Sequence, residues 1–218
     1  MISMFQDPIR ILLTVPALLW ALSFHEFCHG FAAKMAGDPT AERYGRLSLN
    51  PFAHFDLVGT LMLLFVGFGW AKPVPINTRY FKHPRRDLII VSLAGVAGNI
   101  LTAFITVLIL RFLGRGWYYP YYLNGHTWPV YIDIMLKIMV NINMGLAAFN
   151  LIPIPPLDGS RVLEAFLPYK YMEYYYWLER YGMIILLSLI IFGEMTGVRI
   201  INFLLSPIIN ALWLLLPV

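Results

Sequence analysis

The sequence predicts an all-α polytopic membrane protein with about five transmembrane helices and one re-entrant hairpin. Hydrophobic residues make up 59% of the 218 residues and charged residues only 13%, a composition typical of bilayer proteins. Most of the apolar residues lie in runs long enough to cross about 30 Å of hydrocarbon as helices. The sixteen Lys and Arg residues collect in short loops between these runs, as membrane orientation requires.

The charge pattern and the cysteine count exclude several classes of function. The net charge of +4 at pH 7 comes from loop cations that orient a membrane protein, so we expect no nucleic-acid partner. The single cysteine, Cys28, excludes an internal disulfide. A cleaved signal peptide is an alternative interpretation of the first apolar run, but no short Ala-x-Ala segment follows that run at the expected place.

Residues 9–36 form the first apolar run and are long enough to cross the membrane as one helix. The Gly-Asp-Pro sequence at residues 37–39 ends this helix. The polar residues 40–51 that follow are too broken for a helix, and we expect them to be extended. Three cations mark this side as cytoplasmic and place the N-terminus outside: Lys34, Arg43 and Arg46.

Residues 57–70 are apolar, but a straight helix of this length would reach only about 20 Å, short of a full crossing. Basic residues flank the segment on both sides, with Arg43 and Arg46 before it and Arg79 to Arg86 after it. We therefore predict a re-entrant hairpin with both flanks in the cytoplasm. The next residues, 71–77, alternate apolar and polar side chains around two prolines, which predicts an edge strand or an extended loop in a groove.

Two further membrane helices are predicted at residues 88–113 and 130–151, joined by an aromatic loop at the far interface, residues 114–129. Asn99 needs a hydrogen-bond partner, either on the first membrane helix or within its own helix. The second of these helices carries polar residues that we expect to face protein rather than lipid: Asp133, Lys137, Asn141 and Asn143.

The C-terminal part is predicted to contain an amphipathic, aromatic interfacial stretch, residues 161–180, and two more membrane helices. These helices lie at residues 182–193 and 198–216, and the first must borrow residues 174–181 to reach spanning length. The C-terminus then returns to the cytoplasm. We expect one transmembrane domain over residues 1–218, with a core at 10–165 and C-terminal helices at 174–216.

The functional prediction starts from the motif His25-Glu26-Phe27-Cys28-His29 near the end of the first apolar run. His25 and His29 are four residues apart, so they share one helix face, where two imidazoles can bind one metal ion. Glu26 could then activate a water molecule at that metal. Ionisable groups at membrane depth are costly and usually functional, which favours metal binding over a chance pattern or a structural histidine.

A catalytic zinc site takes three protein ligands and keeps one open position, so a third ligand must come from elsewhere in the chain. Asp158 is the candidate. It follows a segment with three prolines, residues 153–156, whose irregular backbone at membrane depth must be buried in protein or face water. A helix N-cap is the alternative role for Asp158. The sequence thus predicts one Zn²⁺ per chain, bound by His25, His29 and Asp158.

Together, the His25–His29 motif and the segment from Asn150 to Gly159 resemble the site-2 protease family of intramembrane zinc metalloproteases. The resemblance covers residues from about 10 to 165 and is closest to the compact prokaryotic type without a PDZ domain. It implies that His25, His29 and Asp158 are the zinc ligands, in agreement with the assignment from the residues. It also implies that Glu26 is the general base and that Asn150 holds the scissile carbonyl or its oxyanion.

The family resemblance implies a multi-pass cell-membrane protein that hydrolyses a peptide bond in or near a transmembrane segment of a substrate protein. Because the histidines lie near the cytoplasmic end of the first helix, we expect the active site near the cytoplasmic face. A substrate helix must unwind before cleavage, and an edge strand at residues 72–77 could pair with the unwound segment. The expected partners are a membrane-protein substrate and the lipid bilayer.

Two alternatives stay open at this point. Another type of membrane zinc protease would take a downstream glutamate as its third ligand, but the candidates have no obvious ligand context: Glu164, Glu173, Glu179 and Glu194. A catalytically silent zinc-binding membrane scaffold would keep the helices and the histidines but would not need Glu26.

Overall fold

The computed structural model describes residues 8–66, 69–115, 117, 128–197 and 200–217. Within these ranges the chain is mainly helical and contains no β-strand. There are eight α-helices in the described ranges: α1 (Pro8–Met35), α2 (Thr40–Arg43), α3 (Leu57–Val66), α4 (Pro84–Phe112), α5 (Trp128–Asn150), α6 (Asp158–Phe166), α7 (Met172–Thr196) and α8 (Ile200–Trp213). Short 3-10 turns occupy Pro51–His54, Thr78–Tyr80 and Tyr169–Tyr171.

Four of the described helices are long and apolar enough to cross a membrane, namely α1, α4, α5 and α7. The predicted class, an all-α polytopic membrane protein, is therefore confirmed. Helix α8 has 14 residues and is about 21 Å long, less than the hydrocarbon thickness. Whether it completes a fifth crossing stays a prediction.

The helices α1, α4 and α5 pack against one another and form the centre of the fold. Small residues let them approach closely: Ala17, Ala21 and Ala33 on α1 are fully buried. A Cβ on Gly98 of α4 would lie 2.6 Å from Cys28 Sγ, so this contact requires glycine. Close approach at small residues is typical of helix packing in membranes.

The hairpin predicted at residues 57–70 is supported by contacts between its two ends. The Lys72 backbone N–H donates to the His54 carbonyl at 2.9 Å. The Trp70 carbonyl lies against Gly59, where any side chain would collide with it. The segment that begins with α3 therefore returns to the place from which it left, as a re-entrant hairpin requires. Residues 71–77 then form an extended loop, the second of the two predicted alternatives.

The prediction that residues 40–51 are entirely extended is wrong. Asp38 Oδ1 accepts a hydrogen bond from the Thr40 N–H at 2.9 Å, and the single turn α2 follows. Asn50 Oδ1 accepts from the Phe52 N–H at 3.0 Å and starts the turn at Pro51–His54. Short polar side chains that bind nearby backbone N–H groups start such turns without any apolar periodicity.

Polar residues of α5 mostly face protein, as predicted. Asp133, Lys137 and Asn143 are at most 5% exposed, and Lys137 Nζ lies 3.1 Å from Asp133 Oδ2. The expectation for Asn141 is wrong, because its side chain is exposed. Its Nδ2 donates to the Lys137 carbonyl one turn earlier at 2.9 Å, so the amide is satisfied within its own helix.

The predicted interfacial stretch at residues 161–180 is divided in the structure. Helix α6 ends at Phe166, two residues before Pro168, and α7 begins at Met172. A proline cannot donate the N–H that would continue α6. Helix α7 includes residues 174–181, as the predicted extension of the helix at 182–193 requires.

Helix α8 runs antiparallel to α5, whereas the predicted return of the C-terminus to the cytoplasm requires it to run parallel to α5. Its first half packs around Ile152 and Leu157, next to Asp158. Near its other end, Trp213 lies 4.9 Å from Trp117, which follows the opposite end of α4. An apolar run carries no signal of direction, so the expected return of the C-terminus to the cytoplasm depended only on counting segments.

Most of the predicted aromatic loop at 114–129 lies outside the described residues.

The hairpin gives a topological prediction. Single cysteines at Ser48 and Thr78, in a Cys28→Ser background, should react with an impermeant thiol reagent under the same conditions, because both flanks lie on one side of the membrane. The measurement is labelling in intact cells and in opened membranes. Labelling of only one of the two cysteines in intact cells would show that residues 57–70 cross the membrane.

Candidate metal centre

Three side chains from distant parts of the sequence converge at one point in the structure. His25 and His29 lie on one face of α1, and Asp158 is the first residue of α6. The two Nε2 atoms are 2.9 Å apart. Asp158 Oδ2 lies 3.1 Å from His25 Nε2 and 3.2 Å from His29 Nε2. Both histidines are buried, with 5% and 6% of their surface exposed.

These three donors fit a zinc ion. Among the described residues, they form a group of His, Cys, Asp or Glu side chains whose ligand atoms are close enough to hold a metal ion. Zinc binds imidazole nitrogen and carboxylate oxygen at about 2.0–2.1 Å in tetrahedral geometry, so its ligand atoms lie about 3.3 Å apart. The observed separations of 2.9, 3.1 and 3.2 Å are close to that value.

The local backbone brings the Asp158 carboxylate to the histidines. Residues 151–157 form a series of tight turns after α5, and Gly159 packs against the Leu151 carbonyl, where a Cβ would collide. Leu157 is the N-cap residue of α6, so the alternative role of Asp158 as N-cap is not observed.

Hydrogen bonds at the opposite ring nitrogens fix the tautomer of both histidines. Asn99 uses its two Nδ2 hydrogens for the Ala21 carbonyl at 3.1 Å and for Asn143 Oδ1 at 2.8 Å. Its Oδ1, 2.6 Å from His25 Nδ1, must therefore accept, and the proton lies on Nδ1. In the neutral imidazole, His25 Nε2 then holds the free electron pair that a metal requires.

His29 follows the same rule with a backbone partner. Its Nδ1 lies 2.7 Å from the Val91 carbonyl, which can only accept, so Nδ1 is protonated and, in the neutral imidazole, Nε2 holds the free electron pair. Partners of this kind orient metal-binding histidines. The sequence contains no signal for Val91, because any residue offers a carbonyl. It did single out Asn99, and the structure selects the interhelical role over the structural amide.

Helix α4 passes directly over the imidazoles at Gly95. A Cβ at this position would collide with His29 Nε2 and lie 2.6 Å from His25 Cε1. From the sequence, Gly95 is explained by plain helix packing alone. The structure shows that the missing side chain also makes room for the two metal-binding nitrogens.

Of the other two predicted site residues, Glu26 lies on α1 with the histidines and Asn150 lies on α5. Glu26 is partly buried, and its Oε2 accepts a hydrogen bond from the Val74 backbone N–H at 2.8 Å. Asn150 is the last residue of α5, and its Nδ2 donates to the Leu146 carbonyl at 3.0 Å. That bond uses one of the two N–H groups of the Asn150 amide.

Comparison with known proteins identifies the family. The model of peptidase family M50 matches residues 118–189, the part of the chain that contains Asn150 and Asp158. A Bacillus subtilis protein described as "Putative zinc metalloprotease YwhC" is 36% identical over 198 residues, which cover 90% of this chain and 85% of that protein. The protein belongs to peptidase family M50. The site-2 protease resemblance is thereby confirmed.

More distant relatives occur in mycobacteria. Two proteins described as "Putative zinc metalloprotease Rip2" are similar to this chain: the Mycolicibacterium smegmatis protein at 29% identity over 83% of the chain and 67% of the relative, and the Mycobacterium tuberculosis protein at 27% over 85% and 69%. No solved protein structure matches the chain.

The close contact at Gly95 gives a testable prediction for this M50 protein. Gly95→Ala should displace an imidazole, lower the stability by about 1–3 kcal/mol through overpacking and remove most of the bound zinc. Gly145→Ala is the matched control on α5, because a Cβ there meets no atom within 4 Å. Zinc content and thermal unfolding measure both effects. A Gly95→Ala variant with full zinc would show that the space over the imidazoles is not needed.

Asn99 gives a second prediction. Asn99→Ala removes the acceptor of His25 Nδ1–H, so the zinc affinity should fall by about 10- to 100-fold. The control is Asn141→Ala, which removes an exposed amide from α5. Titration with a competing chelator measures the affinity. Equal affinity in the two variants would mean that the hydrogen bond between Asn99 and His25 does not support metal binding.

Proposed function

We propose that the protein is an intramembrane zinc metalloendopeptidase that cleaves a peptide bond in or near a transmembrane segment of a membrane-protein substrate. The observation that carries this proposal is the convergence of His25, His29 and Asp158, with Glu26 beside them, in a member of a peptidase family. Both histidines lie on α1, which is long and apolar enough to cross a membrane. The names of the relatives support zinc as the metal.

In this proposal, His25, His29 and Asp158 hold one Zn²⁺ per chain through two Nε2 atoms and one carboxylate oxygen. When bound, zinc acts as a Lewis acid and lowers the pKa of water to about 7. The hydrogen bonds to Asn99 and Val91 orient both histidines and leave their Nε2 atoms to face the metal. Burial excludes bulk water from the two imidazoles, which strengthens their electrostatic contacts.

Glu26 is the proposed general base. It takes a proton from the attacking water and passes it to the leaving amine. The Val74 N–H holds its Oε2 at 2.8 Å, so Oε1 is the oxygen that takes the proton. Its partial burial suits this role, because a substrate must be able to reach the carboxylate.

Asn150 is proposed to donate an amide N–H to the oxyanion of the scissile carbonyl. Its position at the end of α5 supports this role, since the same segment of turns continues to Asp158. One N–H of the amide is used within α5, and the other is the proposed donor.

We further propose that residues 1–218 act as one domain and that the active site lies near the cytoplasmic face. Cations at both flanks of the hairpin support this orientation, because Lys and Arg are enriched in cytoplasmic loops. His29 lies six residues before the end of α1, close to these flanks. A silent scaffold stays the alternative, and Glu26 argues against it, because metal binding alone does not need this carboxylate.

The assignment of the site residues is tested by zinc content and by cleavage of a quenched fluorescent single-span peptide in proteoliposomes. Three variants of the proposed ligands should each lose most of the zinc and the activity: His25→Ala, His29→Ala and Asp158→Ala. Glu26→Gln should keep the zinc and lose activity by about 100-fold or more, because the general base acts on water. Glu42→Gln, a change of an exposed glutamate, is the control.

Two outcomes would contradict parts of the proposal. Full zinc in Asp158→Ala would remove Asp158 from the ligand set. Zinc in the unmodified protein without cleavage of any single-span peptide from a panel of varied sequence would favour the scaffold.

A further inference from the structure

An extended segment, residues 72–77, lies across Glu26, and we call it the strap. Its Val74 N–H is the hydrogen-bond donor to Glu26 Oε2. The Val74 side chain is buried, with 6% of its surface exposed, and it packs near Gly30 on α1. Gly30 is four residues after Glu26, so the strap follows the same face of α1 as the carboxylate.

Asp38 holds the C-terminal end of the strap. It is fully buried just after α1, and its Oδ2 accepts a hydrogen bond from the Asn77 N–H at 2.6 Å. Its other oxygen, Oδ1, accepts from the Thr40 N–H and hydroxyl. One carboxylate thus joins the end of the catalytic helix to the strap.

Arg46 holds the N-terminal end. Its Nη2 donates to the carbonyls of Lys72 and Pro73, at 2.7 and 3.3 Å. Between the two anchors, prolines at 73 and 75 restrict the backbone to extended conformations. The direction of the Val74 N–H is therefore fixed by the two anchors and by the stiffness of the strap.

We propose that Asp38 and Arg46 are positioning residues for Glu26: they hold the strap so that the Val74 N–H fixes the orientation of the Glu26 carboxylate. The inference rests on the proposed role of Glu26 as general base. A general base must lie within hydrogen-bond reach of the proton that it takes, and a misplacement of about 1 Å can lower the rate by about 100-fold.

This role differs in its kinetics from the two other roles that a strap could have. A strap that only pairs with an extended substrate acts on binding, so loosening it would raise KM. A strap that masks Glu26 would inhibit the enzyme, so loosening it would raise kcat. A positioning strap lowers kcat when it is loosened and leaves KM and zinc content unchanged.

The test uses the full-length protein in proteoliposomes and the quenched single-span peptide. Asp38→Asn replaces one acceptor oxygen by a donor and removes the charge, so the bond from the Asn77 N–H is either lost or weakened to a neutral hydrogen bond. Thr40→Val is the matched control, because it removes only the local hydroxyl. Arg46→Gln has its control in Arg43→Gln, which removes the same charge from the end of α2, three residues earlier, where the described structure has no hydrogen bond to the strap.

We expect kcat to fall by about 10-fold or more in Asp38→Asn and Arg46→Gln, with KM, zinc content and both controls within about 2-fold of the unmodified protein. Combined with Glu26→Gln, neither substitution should lower the residual rate further, because both act through Glu26. Val74→Pro, which removes the N–H and leaves both anchors, should reproduce the fall in kcat.

Several results would overturn the inference: a change in KM alone, a rise in kcat, or an additive loss in the Glu26→Gln background. If Asp38→Asn and Arg46→Gln lose zinc or fail to fold, normal kcat in Val74→Pro would also overturn it. Hydrogen exchange at the Val74 amide needs no substrate, and it should become faster in Asp38→Asn. Unchanged exchange would overturn the inference even if no peptide is cleaved, whereas absent cleavage with faster exchange would contradict only the proposed function.

Discussion

A polar group inside a bilayer protein must have a hydrogen-bond partner. The rest of this structure depends on how the two histidines of α1 meet that requirement. Each imidazole brings two ring nitrogens into a region with little water. The Nδ1 atoms are paired with Asn99 and Val91 on α4, and the Nε2 atoms converge on Asp158 at the start of α6. Since each partner must lie within about 3 Å, the histidines determine where α4 and α6 lie relative to α1.

The same constraint explains where small and charged residues occur. Helix α4 can supply Asn99 and the Val91 carbonyl only if its backbone comes close to α1, and Gly95 and Gly98 leave space for the histidines and Cys28. Near the start of α5, Asp133 and Lys137 are both 5% exposed, and Lys137 Nζ lies 3.1 Å from Asp133 Oδ2 as an ion pair. A charge buried without a partner would be strongly destabilising there, so each of the two residues stabilises the burial of the other.

The sequence predicts those features that depend on composition or on short spacing. Apolar runs gave α1, α4 and α5 within a few residues, and the spacing of His25 and His29 gave the metal-binding face. Asp158 could be found because a carboxylate after a proline-rich apolar segment is unusual. The turn α2 and the direction of α8 could not be predicted, because they depend on one carboxylate just before the turn, Asp38, and on packing between distant apolar faces. The exposed position of Asn141 depends likewise on its own helix, where the Lys137 carbonyl satisfies the amide.

Residues 72–77 show why an alternating pattern with prolines does not specify a strand. In a sheet, a neighbouring strand would satisfy the backbone groups of such a segment, but here side chains satisfy four of them. Arg46 binds two carbonyls, and Asp38 and Glu26 each accept one N–H. Asp38 is fixed by its burial and Arg46 by local structure, whereas Glu26 is a side chain of the candidate site. The hydrogen bond that satisfies the Val74 N–H therefore also orients Glu26. The placement of residues 72–77 and the orientation of the Glu26 carboxylate thus depend on the same bond.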